Sequence, residues 1–127
     1  MTTDEMTIRE MCDAFDVTPR TLRFYEAKEL LFPRREGQKR LFTRRDRARL
    51  KLILKGKKFG FPLEEIRQLL DLYEEKDGGT QLGETLKAYK RRHGEMAEQK
   101  RELEVLMDEL AAEIDWATSQ LDQSKGR

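Results

Sequence analysis

The residues best equipped for chemistry are a cluster of hydroxyls and guanidiniums near the N-terminus: Thr18, Arg20, Thr21, Arg23 and Tyr25. An arginine carries a rigid fork of donors that engages two acceptors at once, as on a carboxylate, a phosphate or the O6/N7 edge of a guanine. Thr18 is a good helix N-cap. Pro19 behind it suits the first helical position, where its missing N–H leaves no bond unmade. A helix starting there brings the set into and just past its first turn, so the cluster is built for anion and base-edge recognition. Covalent catalysis is not indicated: no Ser/His/acid set or carboxylate pair stands at a plausible pocket, and the chain's one histidine is His93.

The surrounding charge points the same way. Residues 1–61 hold 16 Lys and Arg against 9 Asp and Glu, whereas residues 62–127 hold 10 against 16, so a net charge of +1 hides a basic half and an acidic half. Between Arg34 and Lys58 the count is 12 basic to 2 acidic, a field that a polyanion would feel. Arg40, Phe42, Lys57 and Lys58 are candidates to grip a nucleic-acid backbone, with core packing an equal alternative for Phe42 and Phe24; for Arg44, Arg45, Arg47 and Arg49 a solvated helix face is the favoured reading. A lone cysteine, Cys12, allows no internal disulfide, and with His93 alone beside it no metal centre or cofactor is expected. The longest aliphatic run is Leu52-Ile53-Leu54, far below the roughly 20 apolar residues of a membrane span. With an acidic N-terminus, the expected address is the cytoplasm.

These side chains need elements to hold them. Thr7-Ile8-Arg9-Glu10 reads as a capping box. Ile8, Met11, Cys12 and Phe15 follow at helical spacing, which makes Cys12 a core residue. The helix from Thr18-Pro19 runs through Leu22 and Tyr25 to near Lys28, and the two together form a helix-turn-helix. Arg34 to Arg40 resembles a hairpin tip centred on Gly37, leading into a short strand, Arg40-Leu41-Phe42: a wing. Thr43 caps a third helix to about Lys58, with Ala48, Leu50, Leu52, Ile53 and Leu54 facing inward and Gly60 ending it. A fourth opens at Pro62 with Leu63, Ile66, Leu69, Leu70 and Tyr73 inward, and Asp77-Gly78-Gly79 is the clearest linker. The expected domains are therefore 1–77, a winged helix-turn-helix head, and 78–127, a linker and dimerisation helix.

From Leu82 the apolar spacing alternates steps of four and three: Leu86, Tyr89, His93, Met96, Lys100, Leu103, Met107, Leu110, Ile114, Ala117 and Leu121. Such a heptad seam, on a helix roughly 60 Å long, calls for a partner helix. Homodimerisation through it is the primary reading, and folding back onto the chain's own head is the alternative. His93 and Lys100 at two a positions would fix register, and Gly94 could kink the helix. Trp116, Tyr89 and His93 could instead line a small-molecule pocket, though packing is the plainer account.

Residues 7–73 resemble the N-terminal half of MerR-family regulators. The likeness lies in Thr7-Ile8-Arg9-Glu10, in Thr18-Pro19-Arg20-Thr21-Leu22-Arg23-Phe24-Tyr25-Glu26, in Leu30-Leu31, in Arg40-Leu41-Phe42, and in the run from Gly60 to Leu70. The stretch from Leu82 to Leu121 is similar to the long helix through which that family pairs as an antiparallel coiled coil. The resemblance implies a mainly α fold with a small β-wing and a homodimer bound to double-stranded DNA at a pseudo-palindromic promoter operator. It also implies bending and untwisting of an overlong promoter spacer for RNA polymerase, under control of a small-molecule effector. On this reading Thr7, Thr18, Arg20, Thr21, Arg23, Tyr25, Arg40, Phe42, Lys57 and Lys58 meet DNA. Which of Arg20 and Arg23 reads a base is left open. The wing and third helix also look like the subgroup that controls branched-chain amino-acid and fatty-acid degradation.

The sequence departs from the family pattern in places. Phe24 and Phe42 stand where tyrosine is usual, Pro62 replaces a serine cap, and Gln38-Lys39 replace Gly-Tyr. The C-terminal cysteines of metal-sensing members have no counterpart in these residues, and with six residues after Leu121 no separate effector domain is expected. Two rivals remain: a coiled-coil protein–protein adaptor, and an architectural DNA binder without an effector.

Overall fold

The computed structural model describes residues 4–75 and 78–126, with side chains described outside 73–78. In chain order the elements are β1 (Met6–Thr7), α1 (Ile8–Phe15), α2 (Pro19–Ala27), β2 (Arg34–Glu36), β3 (Lys39–Phe42), α3 (Arg44–Lys58), α4 (Leu63–Glu75) and α5 (Gly78–Lys125). The result is a mostly helical protein with an N-terminal helix-turn-helix, a small wing and a long C-terminal helix. It divides into two compact units, Met1–Thr85 and Leu86–Arg127, and the division falls within α5.

Local chemistry fixes the ends of the first helices. Thr7 caps α1 in a full capping box, its hydroxyl accepting from the Glu10 amide at 3.1 Å while the Glu10 carboxylate accepts from the Thr7 amide at 2.9 Å. α1 stops at Asp16, whose φ of 54° is left-handed, a conformation Asp adopts more readily than most residues. The Thr18 hydroxyl caps α2 through the Thr21 amide at 3.1 Å, with Pro19 behind it. Three residues, Asp16, Val17 and Thr18, therefore separate the helices, and a cap stands at each end of that turn.

The wing is a three-stranded antiparallel sheet in the order β1-β3-β2. Glu36 pairs with Lys39 across a two-residue turn in which Gly37 has φ 62°. Glycine at the first central position is what a type II′ hairpin turn requires. On the other side Met6 pairs with Phe42 and Thr7 with Leu41. This third strand was not anticipated: two residues carry no periodic signal, and their pairing is purely tertiary.

The core of the head gathers Met11, Leu22, Tyr25, Leu30, Leu31, Phe42, Leu50, Ile53, Phe61, Ile66, Leu69 and Leu70. Several expectations need correction against it. Cys12 is only half-buried, while Met11 is the fully buried residue of α1. On α3 the buried positions are Asp46, Arg49, Leu50, Ile53 and Gly56; Ala48 is exposed and Leu52 and Leu54 are half-buried. Gly78 and Gly79 are not a linker but the first residues of α5, which also runs through Gly94 without interruption. Asp77 and the Tyr73 side chain lie outside the described residues.

α3 and α4 pack closely at Gly56. A Cβ built there would stand 2.7 Å from both Cδ1 and Cγ1 of the buried Ile66. Phe61 closes the corner by donating its amide to the Gly56 carbonyl at 2.9 Å. Gly56→Ala should therefore lower stability by about 1–3 kcal/mol, because overpacking outweighs the helix propensity gained by alanine. A denaturant titration checks this, and an unchanged midpoint would mean that Ile66 can swing aside at no cost.

In the second unit every residue from 98 to 126 is exposed in the single chain. Arg101 pairs with Glu98, and Arg91 and Arg92 pair with Glu95, contacts worth a few tenths of a kcal/mol each on a helix surface. Among the described residues, no helix is long and apolar enough to cross a membrane.

Candidate nucleic-acid interface

α2 buries one face and bares the other. Leu22 and Tyr25 point into the core, and burial pushes the Tyr25 hydroxyl above its ordinary pKa. Arg20, Arg23 and Phe24 lie outward, and the Phe24 ring, 45% exposed, has Lys28 Nζ 5.6 Å from its centre. The Thr18 and Thr21 hydroxyls are 2.9 Å apart and bond each other. Both ends of the helix are held. Arg67 of α4 donates to the Lys28 carbonyl and, at 3.3 Å, to that of Glu29, whose φ is 59°. A cation bonded to the last carbonyls is favoured there by the helix dipole.

The head's arginines fall into two sets. Arg49, almost fully buried, donates Nε to the Leu30 carbonyl at 2.7 Å. Arg40 donates Nε to Glu26 Oε1 at 2.5 Å, and Arg35 reaches Oε2 of the same carboxylate at 3.5 Å. Through Glu26, then, the wing is latched to α2. Arg34 forks onto both oxygens of Glu5, and Arg44 pairs with Asp4. By contrast the side chains of Arg20, Arg23, Lys57 and Lys58 are exposed and have no hydrogen-bond or ion-pair partner among the described residues. Cations kept free on the outer face of a rigid helix can bond an incoming polyanion without first breaking internal pairs.

The expected contact residues thus separate. Thr7, Thr18, Arg20, Arg23, Lys57 and Lys58 are exposed and Thr21 is half-buried. Phe42 is not at the surface: its ring is completely buried at the end of β3, and Tyr25 is 5% exposed. These two pack behind the exposed face of α2 rather than on it, because strand alternation and the α2 stripe both turn them inward. Arg40 is half-buried and engaged as a strut.

Sequence reasoning missed Asp46. Its carboxylate, 1% exposed, accepts from the Phe32 amide at 2.9 Å, the Thr43 amide at 3.1 Å and the Thr43 hydroxyl at 3.3 Å. Its amide in turn donates to the Thr43 hydroxyl. Thr43-x-x-Asp46 is a capping box with aspartate in place of glutamate, a signal that was available in the sequence. Phe32, held by this bond, is 47% exposed and lies under two guanidiniums, Arg45 at 5.3 Å and Arg49 at 5.1 Å. Among the described residues no group of His, Cys, Asp and Glu is placed to hold a metal ion.

Comparison with known proteins places this arrangement. The model of the MerR helix-turn-helix regulatory protein family matches residues 6–73, and that of the MerR DNA-binding region matches residues 47–112. The HTH-type transcriptional regulator ZntR of Escherichia coli K12 is 42% identical over 67 residues, 51% of this chain and 48% of that protein. The chain thus spans about half the length of the curated relatives it matches. Two solved structures share the fold. One, a MerR-family transcriptional regulator from Bacillus cereus, has 33% identity and a TM-score of 0.59, over 83% of this chain and 78% of its own. The other is HiNmlR, a MerR-family regulator lacking the sensor domain, bound to promoter DNA. It has 24% identity and a TM-score of 0.63, over 82% and 79%. With a family model covering more than half its length, and with the winged helix-turn-helix that the model describes, this chain belongs to the MerR family of helix-turn-helix regulatory proteins.

Proposed function

We propose that this chain is a sequence-specific transcription regulator that binds duplex DNA as a homodimer, each subunit laying α2 in a major groove with its wing on the flanking backbone. The observation that carries this reading is the contrast among the arginines: Arg20 and Arg23 stand exposed without partners on α2, while Arg40 is held by Glu26 and Arg49 by the Leu30 carbonyl. A bidentate arginine on guanine gives about 1–3 kcal/mol of discrimination, and phosphate contacts from Lys57 and Lys58 add salt-dependent affinity.

Two features of α5 support a two-fold particle. Its seam residues Leu86, Met96, Leu103, Met107, Leu110, Ile114, Ala117 and Leu121 are exposed in the single chain, and Tyr89 is half-buried. That seam is also electrically divided. Residues 87–101 hold 6 basic and 2 acidic residues, whereas residues 102–122 hold 7 acidic and none basic. Parallel pairing would set like charges against each other; antiparallel pairing sets each basic half against an acidic one. A two-fold dimer then reads a pseudo-palindromic operator with half-sites spaced by the coiled coil. Bending and untwisting of a long promoter spacer for RNA polymerase, biased by a small-molecule effector, completes the proposed mechanism, with the cost of deformation offset by wing and helix contacts. Branched-chain amino-acid or fatty-acid degradation is the proposed target pathway, on the likeness of the wing and third helix.

Arg23→Ala tests the interface. Arg23 is exposed and carries no internal bond, so the thermal midpoint should be unchanged while operator affinity falls by about 1–3 kcal/mol, roughly 5- to 150-fold. Equal operator binding by the variant and the native protein would remove Arg23 from the interface.

A further inference from the structure

The N-terminal segment before β1 is drawn across the cations that flank the wing. Glu5 accepts from Arg34 Nε and from one of its terminal nitrogens, both at 2.9 Å, and Asp4 Oδ2 accepts from Arg44 at 3.0 Å. The Asp4 carbonyl also accepts from Arg47. Strand register produces this arrangement. Met6 pairs with Phe42 and Thr7 with Leu41, so continuing the antiparallel ladder backward sets Asp4 opposite Arg44, at the start of α3. Arg34 heads β2 on the far side of β3, so Glu5 reaches it from across the central strand.

In both pairs the guanidinium is open to solvent, and the Arg44–Asp4 pair is too exposed to be explained as a support of the fold. The Arg44 and Asp4 side chains are 77% and 62% exposed, a setting in which an ion pair contributes little to stability, whereas Glu5 is 10% exposed beneath an Arg34 that is 47% exposed and also meets Glu36 at 3.3 Å. Their effect on the surface field is larger: each carboxylate cancels one cation of the most basic stretch in the chain. A phosphate offers arginine the same forked acceptor geometry as a carboxylate. We propose that Asp4 and Glu5 form an internal anionic arm that occupies Arg34 and Arg44 in the free protein and on duplex DNA of arbitrary sequence, and yields them to backbone phosphates at the operator. The arm thereby weakens sequence-independent binding, which is purely electrostatic, more than operator binding, to which base contacts also contribute. The proposal rests on the DNA-binding function argued above.

The test is the salt dependence of binding to a fluorescein-labelled 20-base-pair duplex of arbitrary sequence, measured by anisotropy for the native protein and for Asp4→Asn/Glu5→Gln. With Arg44 freed and Arg34 left only with Glu36 at 3.3 Å, the slope of log K against log salt should steepen by about 1–2 and affinity at 0.1 M salt should rise roughly tenfold, the gain shrinking as salt increases. A control of equal charge change, Asp108→Asn/Asp115→Asn at two b positions of α5 that face away from the seam, should leave the slope unaltered provided sedimentation shows the same oligomeric state. Should the double variant fail to fold by its thermal transition, Asp4→Asn alone should steepen the slope by about 1. Native binding with no change in either arm variant overturns the proposal alone, as does an equal gain in the α5 control. Duplex binding by none of the proteins overturns the DNA-binding function, and the arm with it.

Discussion

Leu110→Asp is expected to convert the protein to a monomer at micromolar concentration and to abolish operator binding, while the head keeps its thermal transition. Leu110 is 61% exposed in the single chain and lies at a d position of the seam. Burying a leucine contributes about 1.5–3 kcal/mol. In a two-fold coiled coil the change enters twice, for a loss of about 3–6 kcal/mol before the cost of burying two carboxylates is added. Dimer affinity should then fall at least a hundredfold. Val105→Asp is the matched control. Val105 is 57% exposed but sits at an f position, away from the seam, so it should change the association constant little. Sedimentation equilibrium separates the two, and a Leu110 variant that stays dimeric would place the subunit contact elsewhere.

Asp46→Ala should be the most damaging substitution within the head. The native carboxylate satisfies the amides of Phe32 and Thr43 from a buried position, and caps α3 while anchoring the segment that leads into the wing. Removing it leaves two backbone donors without their acceptor, at about 1–3 kcal/mol each, and deletes the reciprocal cap. A loss of about 2–5 kcal/mol is a large share of a stability of roughly 5–15 kcal/mol. Asp46→Asn keeps an oxygen for one amide and should lose about half as much. Urea denaturation gives both values; a cost below about 1 kcal/mol for alanine would mean that water replaces the carboxylate.

The same residues explain what the sequence could and could not reveal. Helix starts were legible because Thr7, Thr18 and Thr43 act through neighbours within three residues. The interior of α3 was not. Its buried stripe of Asp46, Arg49, Leu50, Ile53 and Gly56 has helical spacing but includes two charged residues and a glycine. Reading by hydrophobicity therefore favoured Ala48, Leu52 and Leu54, which share the helix but not its inner face. Asp46 and Arg49 are tolerated inside because the Phe32 and Thr43 amides and the Leu30 carbonyl bond them, partners that come from folding rather than from local pattern. A glycine pair reads as a linker because each glycine costs a helix about 1 kcal/mol; Gly78 and Gly79 nonetheless begin α5.

At the interface the exposed set on α2 followed from cap position and period alone. What sequence could not distinguish was a free arginine from an engaged one. Arg20 and Arg40 look alike in a string of letters. Only the folded chain sets Glu26 2.5 Å from Arg40 and leaves Arg20 bare. Phe42 was left between surface and core for a related reason: its position at the end of a four-residue strand does not fix which face of the sheet it occupies until α1 and α3 are known to pack against β3.

The central claim is that two copies of α2, related by a two-fold axis created by α5, present Arg20 and Arg23 to DNA. A hydroxyl-radical footprint on a duplex selected from a random pool tests it most directly. Two protected stretches, mirrored about a central dyad and both lost in Arg20→Ala/Arg23→Ala, are the predicted result. A single unmirrored stretch, or protection that survives the double substitution, would contradict it.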